Sequence, residues 1–371
     1  MKDNKFFPAL ATLIGTIMGA GFLGIPYVIS KSGFIIGLVY LIIVASLLMF
    51  VKLYLGEVAL RTKGNHQLTG YAEKYLGKKG KIIMFLAMIF GLYPALLAYM
   101  IGEGRSLSYL AFGNFNYAFI LSLAFWLILS FLAYIGLTAL KKYEKISMVL
   151  VLLLVIAISV LFFKNIQIEN LTYIGTEPFL PFGVIMFSFL AFSAMPEVER
   201  ILKGQEKFMK RVIIFGTIIP FVVYLIFTII MIGSFGKNIN EIATLTLPRF
   251  FSLLGITTMF TAFFASTIAV RDMFRFDFGL GRLKGWLIAC IIPLTLFFLV
   301  SFFNLVQFTE LLSLAGIVSG GLTGILVLLM IKKAKKLGNR RPEYSIRINN
   351  WIIALISIIF IIAVALEIFL N

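Results

Sequence analysis

Eleven stretches of about twenty mostly apolar residues follow one another along the 371-residue chain, with only short loops between them. A hydrocarbon core ~30 Å thick is crossed by a helix of ~20 such residues. In lipid every backbone N–H and C=O must be satisfied inside its own segment, so such segments are helices. They fall at about 6–29, 34–60, 81–103, 116–139, 146–163, 179–199, 211–233, 249–271, 285–303, 308–331 and 350–369, and the third can run on to about 111. The expected class is an all-α polytopic membrane protein, one transmembrane domain over 1–371 within the bilayer. The longest loops leave no room for a water-soluble domain. With 61% hydrophobic and 13% charged residues, the composition agrees. The first apolar run is long enough to span and lacks a cleavage pattern, so no signal peptide is expected.

The formal charge of +17 would fit a nucleic-acid binder, but its distribution argues against one. Of the 33 lysines and arginines, 27 lie in the N-terminal tail or in alternate loops, at 61–81, 141–145, 200–211, 271–284 and 332–347. That alternation is the positive-inside pattern. It predicts a multi-pass protein of the cell membrane with its N-terminus in the cytoplasm and, after eleven spans, its C-terminus outside. No nucleic-acid partner is implied, and the oligomeric state is left open, with a monomer sufficient. Lys52 is the one basic residue well inside a span, and its long stem could snorkel toward the cytoplasm. The single cysteine, Cys290, reads as a small buried hydrophobe, and one cysteine with one histidine, His66, cannot build a multi-ligand metal site.

Within the first span, Gly15-Thr16-Ile17-Met18-Gly19-Ala20-Gly21 places three glycines in seven residues. Each costs ~1 kcal/mol relative to alanine in a helix interior. The stretch either packs against a neighbouring helix or is an unwound hinge that binds a ligand, and a second interruption favours the hinge. Span six carries Ser188, Ser193 and Pro196, and a proline lacks the N–H of a continuing helix. Spans one to five (6–163) and six to ten (179–333) are nearly equal in length. Because five is odd, the second set enters from the opposite side, as in an inverted-topology repeat, and 350–369 is an added helix. Paired interruptions in such repeats point to a site at the bilayer midplane. Half-helix N-termini attract anions and half-helix C-termini attract cations, so the two poles suit a zwitterionic amino acid.

The motif Leu13 to Tyr27, the run Phe187-Ser188-Phe189 to Glu199, then Pro220, Tyr224 and Leu312 to Gly320 resemble the amino acid/auxin permease family of the amino acid–polyamine–organocation superfamily. The resemblance spans nearly the whole chain. It implies a leucine-transporter-like 5+5 inverted repeat with broken helices 1 and 6 plus an eleventh transmembrane helix. It also implies a substrate carboxylate against the amides of Gly19, Ala20 and Gly21, and an ammonium near carbonyls of Ile17 and Phe187. Ser188 would be a hydroxyl ligand, Phe189 or Phe192 a cover for the side chain, and Tyr93 and Tyr99 further candidates for the wall. In sodium-coupled relatives adjacent hydroxyls of span eight bind the ion. Ser266 and Thr267 resemble that pair, with carbonyls of Gly15, Met18 and Phe263 completing five oxygens, as a hard cation prefers. Sodium is the expected coupling ion and a proton the alternative; no other cofactor is implied. Span five lacks an interior lysine, which disfavours one proton mechanism.

The expected function is thus an ion-coupled symporter importing neutral L-amino acids, aromatic or aliphatic, by alternating access. No charged residue lies in either interruption, and charged substrates would lack a counter-charge. The alternative is an amino-acid-sensing receptor subunit of the germinant-receptor type, which binds without obligatory transport. No span carries a His/Ser/Asp grouping able to do acid–base or nucleophilic work, so no enzyme is expected.

Overall fold

A computed structural model describes residues 5–135, 140–303 and 305–348, and residues 351, 353, 354, 357, 358 and 360 beyond them. The expected eleventh helix, 350–369, lies largely outside the described residues. Among these, nine helices are long and apolar enough to cross a membrane, ten when a pair bent by 44° is taken as one span. That pair is α1 (Phe6–Ile17) and α2 (Gly21–Ser32). There follow α3 (Phe34–Leu60), α4 (Leu68–Phe112), α5 (Ala118–Ile135), α6 (Leu140–Phe162) and a short surface helix, α7 (Glu169–Thr172). The second set is α8 (Pro181–Phe189), α9 (Met195–Ile201), α10 (Met209–Phe235), α11 (Ser252–Asp272), α12 (Arg282–Phe303), α13 (Phe308–Leu314) and α14 (Gly320–Leu337). A π-helical turn, Ala315–Ser319, joins α13 to α14.

Both interruptions inferred from sequence are present, one at the head of each half. α2 lies against α8, α1 and α3 against α10, and α4 against α11. The pattern of side chains explains which faces meet. On α3, Ile35, Val39, Ile42, Ile43 and Phe50 form an exposed apolar stripe, while Leu41, Leu48, Val51, Lys52 and Leu55 are buried. A helix that is apolar on its exposed side suits lipid rather than water.

Two features depart from the sequence reading. The basic loop at 61–81 contains helix from Leu68 on, which turns at Gly77 (φ 75°, ψ −169°) into the third span. The carboxylate of Asp277 caps its start, accepting from the backbone N–H groups of Gln67 (3.1 Å) and Gly70 (2.9 Å) and from the Thr69 hydroxyl. Pro196, expected to break span six, instead occupies the first turn of α9. An N–H missing there would have lacked a helical partner anyway.

The glycines of span ten serve close packing. A Cβ on Gly316 would sit 2.8 Å from the Phe187 amide of α8, and one on Gly320 2.8 Å from Leu190. Beyond α14, residues 338–348 double back as a strap over the end of α3. Glu57, fully buried, accepts from Arg61 (2.9 Å), the Ser345 hydroxyl (2.9 Å) and the Ile346 amide (2.8 Å), with Lys335 of α14 at 3.7 Å. The Tyr344 hydroxyl donates to the Leu53 carbonyl at 2.6 Å.

Candidate functional site

The first break is short. The Met18 amide still bonds the Ile14 carbonyl (2.8 Å), and Met18 then leaves helical geometry at φ −80°, ψ 60°. The Gly19 amide turns back to the Ile17 carbonyl at 2.9 Å. Helix resumes at Gly21, and the amides that open it have no acceptor within the helix. A twelve-residue helix thus directs its positive pole into the centre of the protein.

The second break lies at Leu190-Ala191, between α8 and a 3-10 turn, Phe192–Ala194, that leads into α9. Ala191 is left-handed (φ 42°, ψ 26°), the one non-glycine residue with positive φ among the described residues. That conformation costs an L-residue ~1–2 kcal/mol and persists only where its surroundings impose it. Tyr224 of α10 ties the two breaks together. Its hydroxyl lies 2.8 Å from the Ile17 carbonyl and 3.2 Å from the Ser188 carbonyl. Its ring stacks on Phe22 at 5.4 Å.

A cavity of about 60 Å³ occupies the space between the breaks. Ile17, Phe187, Leu190, Ala191 and Phe192 form one side, and Tyr99 and Ser266 stand opposite. Met88, Gly91 and Ala95 of α4, with Ser319 and Thr323 of the π turn and α14, complete it. Among the described residues no charged side chain lines it. Thr16 and Ser193 extend it into a narrower cleft that reaches Gln67, Glu197 and Arg200 on the basic-loop side.

The structure separates the residues singled out from sequence into two groups. Ile17, Phe187 and Phe192 meet at the cavity, together with Tyr99, whose ring lies 6.4 Å from that of Phe187. Gly19 does not line it but packs against Tyr99: a Cβ there would approach the Tyr99 hydroxyl to 2.9 Å and Ala262 to 2.8 Å. Ala20 is buried at the N-cap of α2. Gly21 and Ser188 instead face each other where α2 crosses α8, and the Ser188 hydroxyl donates to its own Val184 carbonyl at 2.7 Å. Phe189 points away from the cavity, its ring 5.0 Å from Tyr224. In this conformation the Ile17 carbonyl already accepts from both Gly19 and Tyr224, and the Phe187 carbonyl accepts from Leu190. Tyr93 lies on the same helix as Tyr99 but bonds the Ile288 carbonyl at 3.3 Å and does not reach the cavity.

Beyond Tyr99, sequence reasoning missed the α4 and α14 walls. Gly91 carries the signal that could have found them: a Cβ there would collide with Ser319, so α4 and the π turn touch at the cavity's edge. It missed Tyr224 as the link between the breaks, and it misread Lys52. That side chain does not snorkel. It is fully buried, and its ammonium donates to the Phe189 carbonyl at 3.0 Å.

For the ion, α1 packs on α11 near the first break. Ser266 and Tyr99 both line the cavity. Thr267 is fully buried and its hydroxyl donates to the Phe263 carbonyl at 2.8 Å. Met18 is buried in the bend, and nothing lies within 4 Å of the position a Gly15 Cβ would take. Two ion pairs bracket the central region. Arg200 of α9 lies 3.6 Å from Asp272 of α11 on the basic-loop side. Arg105 of α4 lies 3.7 Å from Glu241, in the loop before α11, on the other. Burial raises the Glu241 carboxyl above the usual carboxylate range, with Arg105 acting in the opposite direction.

Residues 2–247 match the model of the tryptophan/tyrosine permease family. Glutamine transporter 2 of Aliivibrio fischeri is 22% identical over 242 residues, covering 63% of this chain and 62% of that protein. The chain therefore spans less than two thirds of that relative's length. Tyrosine-specific transport system 1 of Haemophilus influenzae is 26% identical over 292 residues, 76% of this chain and 72% of the relative. Among solved structures, that of MhsT in complex with L-phenylalanine superposes with a TM-score of 0.74 at 16% identity, covering 97% of each chain. At that identity the likeness concerns the fold, which is leucine-transporter-like.

Proposed function

The chain belongs to the tryptophan/tyrosine permease family, and from that premise we propose that it is an ion-coupled symporter importing neutral L-amino acids. One observation carries the reading. Two half-helices end or begin around a cavity whose lining is uncharged and partly aromatic. The amides of Ala20 and Gly21 at the start of α2, joined by that of Gly19 once it leaves the Ile17 carbonyl, suit a carboxylate. The apolar wall of Phe187 and Phe192 suits an uncharged side chain. A cationic or acidic side chain would enter a low-dielectric space without a partner. Phe189 and Ser188 act from behind this wall unless the break rearranges on binding. The relatives named for tyrosine and glutamine transport, and the fold shared with a phenylalanine-bound protein, support amino acids as the class.

Sodium is the proposed coupling ion, held between the first break and Ser266–Thr267. The bracketing pairs Arg200–Asp272 and Arg105–Glu241 suit alternate closure on the two sides. The test is uptake of labelled tyrosine, tryptophan, phenylalanine, leucine, alanine and glutamine into proteoliposomes, with sodium and proton gradients imposed separately. Uptake of at least one neutral amino acid is expected, driven by sodium. Stronger competition by lysine or glutamate than by any neutral amino acid overturns the substrate class. Binding without uptake across the panel returns the sensor reading.

The same proposal places the basic loops in the cytoplasm. Arg341 is exposed within the strap, and the native Cys290 is buried. In intact cells Arg341→Cys should resist a membrane-impermeant thiol reagent, whereas a cysteine added at the C-terminus should react. The opposite labelling pattern reverses the orientation.

A further inference from the structure

Lys52 stands on α3, nineteen residues into a span, with no exposed surface. Among the described residues no carboxylate forms an ion pair with it. Glu57, the carboxylate on its own helix, is taken up by Arg61, Lys335 and the strap. What the ammonium meets is the Phe189 carbonyl, at 3.0 Å. Phe189 is the last residue of half-helix α8.

That position has a physical logic. The last carbonyls of a helix lack intrahelical donors, and together they carry about half a negative charge. An unbroken sixth span would have no such pole at mid-membrane. Here the Phe187 carbonyl is closed by the Leu190 amide and the Phe189 carbonyl by Lys52, while the Ser188 carbonyl shares the Tyr224 hydroxyl with the nearer Ile17 carbonyl. The next residues, Leu190, Ala191 and Phe192, are cavity wall. The ammonium therefore sits one residue behind the surface that a substrate would touch.

We propose that Lys52 is the positioning residue of the second break: its ammonium holds the carbonyl end of α8, and through it sets the Leu190–Phe192 wall in the geometry that closes on substrate. The inference rests on the reading of the cavity as the transport site. It goes beyond that reading in giving the site a buried amine donor contributed by a helix that does not itself line the cavity.

The test uses the full-length protein in proteoliposomes and the amino acid that the unsubstituted protein takes up. Lys52→Met keeps most of the volume and removes the charge. Its KM and its equilibrium dissociation constant for substrate should both rise about tenfold or more, as expected for losing a hydrogen bond to a charged group. Lys52→Arg should recover most of the loss. In Lys52→Ala, added propylammonium should restore uptake, because a free alkylammonium can reoccupy the space and donate to Phe189. A side chain that only fills space predicts that Lys52→Met behaves as the unsubstituted protein, and that result overturns the proposal. Where Lys52→Met fails to fold, the alkylammonium experiment decides: no restoration overturns the proposal. If the unsubstituted protein takes up no amino acid, the transporter reading fails by itself, and Lys52 is then judged from substrate binding alone.

Discussion

Gly21→Leu is expected to abolish uptake while leaving the protein inserted in the membrane. A Cβ at Gly21 would lie 2.9 Å from the Ser188 Cα and 2.9 Å from the Phe187 ring. The obstruction at Ser188 is backbone, so α2 and α8 must separate to admit even one carbon. Overpacking of this kind costs ~1–3 kcal/mol, within what an inserted membrane protein can survive. Function is less tolerant, since a displacement of about 1 Å at a binding site can cost ~10²-fold. Gly19→Leu should act more directly, by pushing Tyr99 and Ala262 away from the first break. Gly281→Ala is the matching control, because nothing lies within 4 Å of its Cβ position. Uptake and substrate binding in proteoliposomes, with membrane insertion scored separately, measure the effect. Normal transport by both leucine variants would remove the first break from the site.

The second large effect concerns the ion. With Ser266→Ala and Thr267→Val combined, the sodium dependence of uptake should vanish. A hydroxyl that donates a hydrogen bond keeps lone pairs for a cation. Thr267 can therefore donate to Phe263 and still ligate, and the Ser266 hydroxyl lies on the cavity lining. Removing each hydroxyl should weaken sodium binding about tenfold or more, the scale of one interaction with a charge. Substrate and sodium favour the same state in this scheme, so each should tighten the other by the same factor. Sodium-dependent substrate binding, titrated in each single variant, in the double variant and in the unsubstituted protein, reads this directly. Retention of ordinary sodium dependence would leave Ser266 and Thr267 with the structural bonds they make in this conformation. Uptake by the unsubstituted protein that ignores sodium and follows a pH gradient would assign the coupling to protons.

The fold was legible because bilayer thickness sets a length that the sequence must meet, and α3 begins and ends where its apolar run does. The breaks were legible because glycine and proline are out of place in ordinary spans. Their detail was not. Pro196 marks the second break, but the chain leaves helix at Leu190, since proline is compatible with the first turn of the helix that follows. The faces of α8 could not be assigned from a nine-residue segment that is apolar all round. Ser188 and Phe189 therefore read as ligands, although one seats Gly21 and the other packs on Tyr224. Lys52 reads as a snorkelling side chain because its acceptor lies 137 residues away in sequence. A helix pole created by a break becomes visible only when the break has a position in space.

The strap over α3 implies a mechanical linkage. Glu57 belongs to the helix that carries Lys52, while Lys335 belongs to the helix that contributes Thr323 to the cavity. Parting those helices would strip donors from a fully buried carboxylate, and breaking such a pair costs ~3–5 kcal/mol. α3 and α14 are thus geared together at one end. A rocking motion that swings one must carry the other, so Lys52 behind the second break and Thr323 at the cavity would move in step from a single hinge.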